Sequence, residues 1–137
     1  MQGRRSGMNE RQRIMLVDGD LAMAGVLNRT LKLEGFDTVI VTDTQSALVL
    51  MEKINPDMVI LDEIAPGQAS IDAVDRIRQL TDVPIIMLAQ EFEMGTLRRV
   101  LSHGADDIIR KPFGARSFVA RVRAKLRRAA LKTAGAR

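Results

Sequence analysis

Three short segments of the chain carry side chains suited to phosphoryl chemistry: Asp18-Gly19-Asp20, Asp62-Glu63 and Lys111-Pro112-Phe113. Each follows an aliphatic run, so in a parallel sheet all three would meet at one edge. Carboxylates crowded there repel one another. A proton or a cation must neutralise them, and oxygen ligands with open water positions suit magnesium. A carboxylate nucleophile, a holder for a divalent cation and a lysine that binds the transferred oxygens make up a phosphoryl-transfer set. A lone aspartate at a strand end more often caps the next helix. Three elements at matching strand ends favour a site instead.

The elements that must position these groups are legible as a repeat. Short aliphatic runs at 14–17, 38–41, 58–61, 84–88 and 107–109 are too short for helices, and their near-continuous apolarity suits strands buried on both faces. Between them, helical spacing appears in Leu27, Leu31 and Phe36, in Ala47, Leu50 and Met51, and in Val74, Ile77 and Leu80. Gly35 and Gly104 stand where helices should stop, and residues 55–57 and 82–84 break the chain before strands. Strand and helix alternate five times. That order predicts parallel pairing through right-handed crossovers, giving an α/β doubly wound sheet with ligands at the carboxyl ends of its strands.

A chain of 137 residues makes about one domain. With no Trp and no Tyr, its core must be aliphatic, and the eight Met residues read as core fill. The absence of cysteine excludes disulfides, zinc-thiolate sites and a cysteine nucleophile, and fits a cytoplasmic location. No apolar run follows the N-terminal arginines to form a leader or a membrane span. The net charge of +4 lies largely at the two ends. A basic end could touch nucleic acid, but the solvated face of a last helix plus a frayed end is the better reading, without direct nucleic-acid binding by this domain. His103 reads as a charge partner at a helix end. The expected divisions are a flexible extension over 1–12, a folded domain over 13–128 and a basic tail or the start of a linker over 129–137.

Over residues 13–128 the sequence resembles the receiver domain of two-component response regulators. The resemblance rests on Ile14-Met15-Leu16-Val17-Asp18, on the run from Pro56 to Asp62, on Ile64-Ala65-Pro66-Gly67, on Val83 to Leu88, and on Gly104-Ala105-Asp106-Asp107 followed by Lys111-Pro112-Phe113. It implies a five-stranded (βα)5 fold of the flavodoxin or CheY-like type with strand order 2-1-3-4-5. It also implies a non-enzymatic signalling role, with Asp62 as phosphoacceptor. Asp18, Asp20, Asp62 and the backbone of Ile64 would hold Mg2+, and Lys111 would contact the phosphoryl group. The last helix, 118–128, is similar to the OmpR/PhoB subfamily, which implies a homodimer through helix 4, strand 5 and helix 5. Asp106, Asp107, Arg110, Arg121 and Arg123 are candidates for that face. A sensor histidine kinase is the implied partner. DNA would be reached only through an output domain not seen in this chain.

Several residues depart from the family pattern. Gly19 stands where a second carboxylate is usual, Ala89 where a hydroxyl is usual, and Ile108 where an aromatic ring is usual. Residues 68–70 replace the common loop, and Glu63 adds a charge beside the acceptor. Weakened Mg2+ binding and a disconnected readout follow, so signalling would proceed by protein contacts or dimerisation with little dependence on Asp62 phosphorylation. A conventional receiver using Asp20 for the metal is the alternative. A haloacid-dehalogenase-like phosphatase with Asp18 as nucleophile would need a later hydroxyl and a different order of Lys and acidic residues.

Overall fold

The computed structural model describes residues 11–135, so most of the expected N-terminal extension lies outside the described residues. Its elements run β1 (Arg13–Val17), α1 (Leu21–Leu33), β2 (Asp37–Val41), α2 (Thr44–Ile54), β3 (Met58–Glu63), α3 (Gln68–Leu80), β4 (Ile85–Ala89), α4 (Met94–Ser102), β5 (Asp107–Arg110) and α5 (Ala115–Gly135). The five strands form one sheet in the order β2-β1-β3-β4-β5, with every pairing parallel. β3 continues past the aliphatic run, pairing Asp62 with Leu88 and Glu63 with Ala89. The acceptor candidate therefore sits on a strand rather than in a loop.

Successive strand residues point to opposite faces, so one sheet has two cores. Ile14, Leu16, Met58, Ile60, Ile86 and Leu88 meet Leu27 and Leu31 of α1 and Phe118 and Val122 of α5. Met15, Val59, Leu61, Ile85 and Met87 meet Ala47 and Met51 of α2, Val74 and Ile77 of α3, and Val100 of α4. This explains the unbroken apolarity of the central strands. Leu80, expected on the buried stripe of α3, is 55% exposed at the helix end. α5 runs beyond the expected boundary at 128 and on to Gly135. Its residues 124–132 are Ala, Lys, Leu and Arg, all strong helix formers, so nothing in the sequence stops the helix there.

The amino ends of the strands are laced by side chains. Arg78 of α3 donates to the carbonyls of Thr81 (3.1 Å), Val83 (2.8 Å) and Gly104 (2.7 Å) and pairs with Asp106 at 2.9 Å. Asp106 also accepts from the Ile85 amide at 2.8 Å, which ties the start of β4 to the start of β5. Arg13 likewise reaches the Ile54 carbonyl at 2.6 Å, and its amide donates to Asp57 at 2.7 Å.

Gly104 follows α4 with φ of +131°, and a Cβ there would lie 3.0 to 3.2 Å from three atoms of Arg78. Gly35, at φ +95°, has nothing within 4 Å of a built Cβ. Gly104→Ala is expected to destabilise the fold by about 3 kcal/mol through backbone strain plus displacement of Arg78. Gly35→Ala should cost about 1 kcal/mol from the backbone alone. Urea unfolding of the two variants checks the difference.

Candidate functional site

Because β1 and β3 are neighbours in register, with Val17 opposite Leu61, the residues that follow them are brought side by side. Asp18 is 2% exposed, and the Asp62 side chain 4%. The Asp18 amide bonds the Val41 carbonyl at 2.9 Å, extending β1 along β2 and fixing where the side chain emerges. Its Oδ1 accepts from the Asp20 amide at 2.9 Å, while Oδ2 is buried with no donor reaching it. Burial pushes the Asp18 carboxyl up to about 7, helped by the adjoining Asp62 carboxyl and opposed by the Asp20 amide.

Lys111 comes from the far side. Its amide donates to the Ala89 carbonyl at 2.8 Å, and its ammonium ion-pairs with Asp62 Oδ1. Phe113, two residues on, stacks on Phe118 with ring centroids 5.2 Å apart. That anchor in the α1–α5 core holds the lysine's segment in place. The predicted acceptor and its lysine are thus in contact, with Asp18 beside them.

Other predicted members are engaged elsewhere. Asp20 caps α1, its carboxylate accepting from Ala22 at 3.0 Å and Met23 at 3.2 Å. This corrects the expectation that it joins the acidic site. A free helix N-terminus offers two amides, whereas the ammonium in the pocket is already paired with Asp62. Glu63 accepts from Ser70 Oγ at 2.9 Å, so the first turn of α3 holds it. The Ile64 carbonyl accepts from the amides of Gln90 (3.0 Å) and Glu91 (2.9 Å). Gly19 adds no ligand, although a Cβ built there meets nothing nearer than the Thr42 carbonyl at 3.4 Å. Among the described residues, no group of three or more His, Cys, Asp or Glu side chains is placed to hold a metal. The oxygens left to hold a cation are those of Asp18 and Asp62, the latter already ion-paired, and the Ile64 carbonyl, which already accepts two hydrogen bonds.

The substituted positions follow from the register. Ala89 is fully buried at the end of β4, opposite Glu63 and Arg110. Ile108 is half-buried against the α2–α3–α4 core. An aromatic that the sequence reading did not single out lies nearby, with Phe92 beneath the Arg110 guanidinium at 5.4 Å. Its signal was an aromatic residue between β4 and α4 in a chain with 3% aromatics.

The five candidates for a dimer face separate. Asp107 takes two bonds from Arg121, at 2.9 and 2.6 Å, and Arg110 lies beside them on β5. Asp106 belongs to the Arg78 lacing at the opposite end of the sheet. Arg123 pairs with Glu34 at 2.9 Å and lies over Phe36, on the α1 side. Asp106 and Arg123 thus each have an ion partner within the chain, as Asp107 and Arg121 have in each other. His103 approaches Asp75 of α3 at 3.4 Å, the charge partnership expected of it when protonated. Among the described residues, no helix is long and apolar enough to cross a membrane.

A doubly wound sheet with a buried aspartate and lysine at its carboxyl edge defines a class, and the family comparison agrees. Residues 14–123 match the response regulator receiver domain, and the chain belongs to that family. It is 43% identical over 118 residues to the DNA-binding response regulator MtrA of Mycobacterium tuberculosis, covering 86% of this chain and 52% of that protein. The sensory transduction protein RegX3 of Mycobacterium bovis is 36% identical over 116 residues, covering 84% of this chain and 51% of that one. The chain therefore spans about half the length of the curated relatives it matches. Among solved structures, a CheY-like receiver domain protein from Methanospirillum hungatei superposes with a TM-score of 0.83 at 22% identity, covering 90% of this chain and 99% of that one. The fold, strand order and family expected from the sequence are all confirmed.

An acid whose folded value lies above its unfolded one favours the folded state most when both forms are protonated. That advantage disappears as pH rises from 3.8 through about 7. In metal-free buffer, stability of the native chain should therefore fall between pH 5 and pH 8 by on the order of 1 kcal/mol more than that of Asp18→Asn. Urea titrations of both proteins at the two pH values test this. Equal slopes would show that Asp18 is ionised throughout.

Proposed function

We propose that this receiver signals through protein contacts on the α4–β5–α5 side with little dependence on phosphorylation of Asp62. The observation that carries the reading is the fully buried Ala89, which closes β4 beside the Asp62–Lys111 pair. A hydroxyl there would bond an incoming phosphoryl group and transmit its arrival, and a methyl group does neither. Loss of one such group commonly slows phosphoryl transfer by about a hundredfold or more. Asp62 and Lys111 favour the second reading, a conventional receiver that takes a phosphoryl group from a histidine kinase.

Under either reading the chain acts as a cytoplasmic signalling module rather than as an enzyme. Mg2+ binding is weakened by Gly19 and by the engaged Ile64 carbonyl. The similarity to a relative described as DNA-binding supports a role in transcription regulation. Contact with DNA would belong to the half of such a protein that this chain does not match. Asp107, Arg110 and Arg121 form the charged part of a homodimer face, since all three lie together on β5 and α5.

Incubation with Mg2+ and a small phosphodonor, followed by mass measurement, should give little adduct, and Asp62→Asn should remove what forms. Sedimentation should show the same dimer content before and after. Stoichiometric adduct that raises dimer content would return the conventional reading. Arg121→Ala should abolish the dimer while lowering fold stability by less than about 1 kcal/mol, because its ion pair is partly exposed. A dimer unaffected by that change would place the interface elsewhere.

A further inference from the structure

We infer that the main-chain amides of Gln90 and Glu91 are positioning groups of the acceptor site: by holding the Ile64 carbonyl they deny it to a cation and fix the segment leading into α4. The inference rests on reading Asp62 as the acceptor. A carbonyl oxygen has two lone pairs, and here two amides, at 3.0 and 2.9 Å, take both. To ligate a cation, the oxygen must surrender at least one of these bonds. The released amide would then need another partner. Ile64 is 69% exposed, so its carbonyl rather than side-chain packing ties this loop to its neighbour.

The same two amides begin the link from β4 to α4. Phe92 follows, lying under Arg110, and Glu93 caps α4 without a side-chain hydrogen bond. Val100 is the buried residue of α4. Arg99 donates to Gln68 of α3 at 2.9 Å and His103 approaches Asp75, so the carboxyl half of α4 is tied to α3 while its start takes its position from the segment before it. Cation binding at Asp62 and the placement of α4 therefore compete for one oxygen atom. A cation that took the carbonyl would loosen the link, and whatever stabilises the link disfavours the cation by the same factor. Gly19 is then one of two separate reasons for poor cation binding, and replacing it corrects only the first.

Magnesium titrations followed by amide signals in Gly19→Asp, Gly19→Asp/Glu91→Pro and Gly19→Asp/Glu91→Ala separate the two reasons. Proline removes the Glu91 donor, while alanine removes only its side chain. The proline variant should bind magnesium about fivefold more tightly than Gly19→Asp, as expected for release of one hydrogen bond. The alanine variant should match Gly19→Asp. In Gly19→Asp itself, saturation with magnesium should speed hydrogen exchange at Gln90 and Glu91 and leave the Arg78-laced strand ends unchanged. That second measurement decides the matter if the proline variant does not fold. Equal affinities in the proline and alanine variants, or magnesium bound with both amides still protected, would overturn the inference. Magnesium that shifts neither Asp62 nor Lys111 in any variant would instead overturn the reading of the site as an acceptor.

Discussion

The ion pair between Asp62 and Lys111 is the contact around which this edge of the molecule is arranged. A carboxylate this deeply buried would be costly alone, and the ammonium offsets that cost only if it is delivered to the right spot. Delivery depends on β5 running beside β4 and on Phe113 wedged against Phe118. Both depend in turn on a sheet covered on its two faces. Asp18 is buried beside that pair, and its burial, with the adjoining Asp62 carboxyl, raises its proton affinity.

Around that pair, three polar groups that might have served a ligand have found work inside the chain. Asp20 closes a helix, Glu63 holds a serine, and the Ile64 carbonyl joins two loops. Buried or half-buried polar groups seek partners wherever geometry permits.

The fold was legible because it is written in periodicity. Five apolar runs, each followed by helical spacing, leave few arrangements besides a parallel doubly wound sheet. Asp62, Asp18 and Lys111 were legible for the same reason, since each follows a run and the strand ends must coincide. The role of Asp20 was not legible, because capping and metal binding ask for the same residue type at nearly the same place. Nor were the partners of Asp106 and Arg123. Arg78 and Glu34 are distant in sequence, and pairing across elements depends on register and side-chain reach that no local pattern records. The engaged Ile64 carbonyl has no signature at all, because main-chain hydrogen bonds between loops do not depend on residue type.

The Arg78 lacing has a mechanical consequence. One guanidinium joins three carbonyls and a carboxylate at the amino ends of β4 and β5, while at their opposite ends the Lys111 amide bonds the Ala89 carbonyl. The amino ends of β4 and β5 therefore share one side chain as a common fastener, at the end of the sheet opposite the edge that holds Asp62.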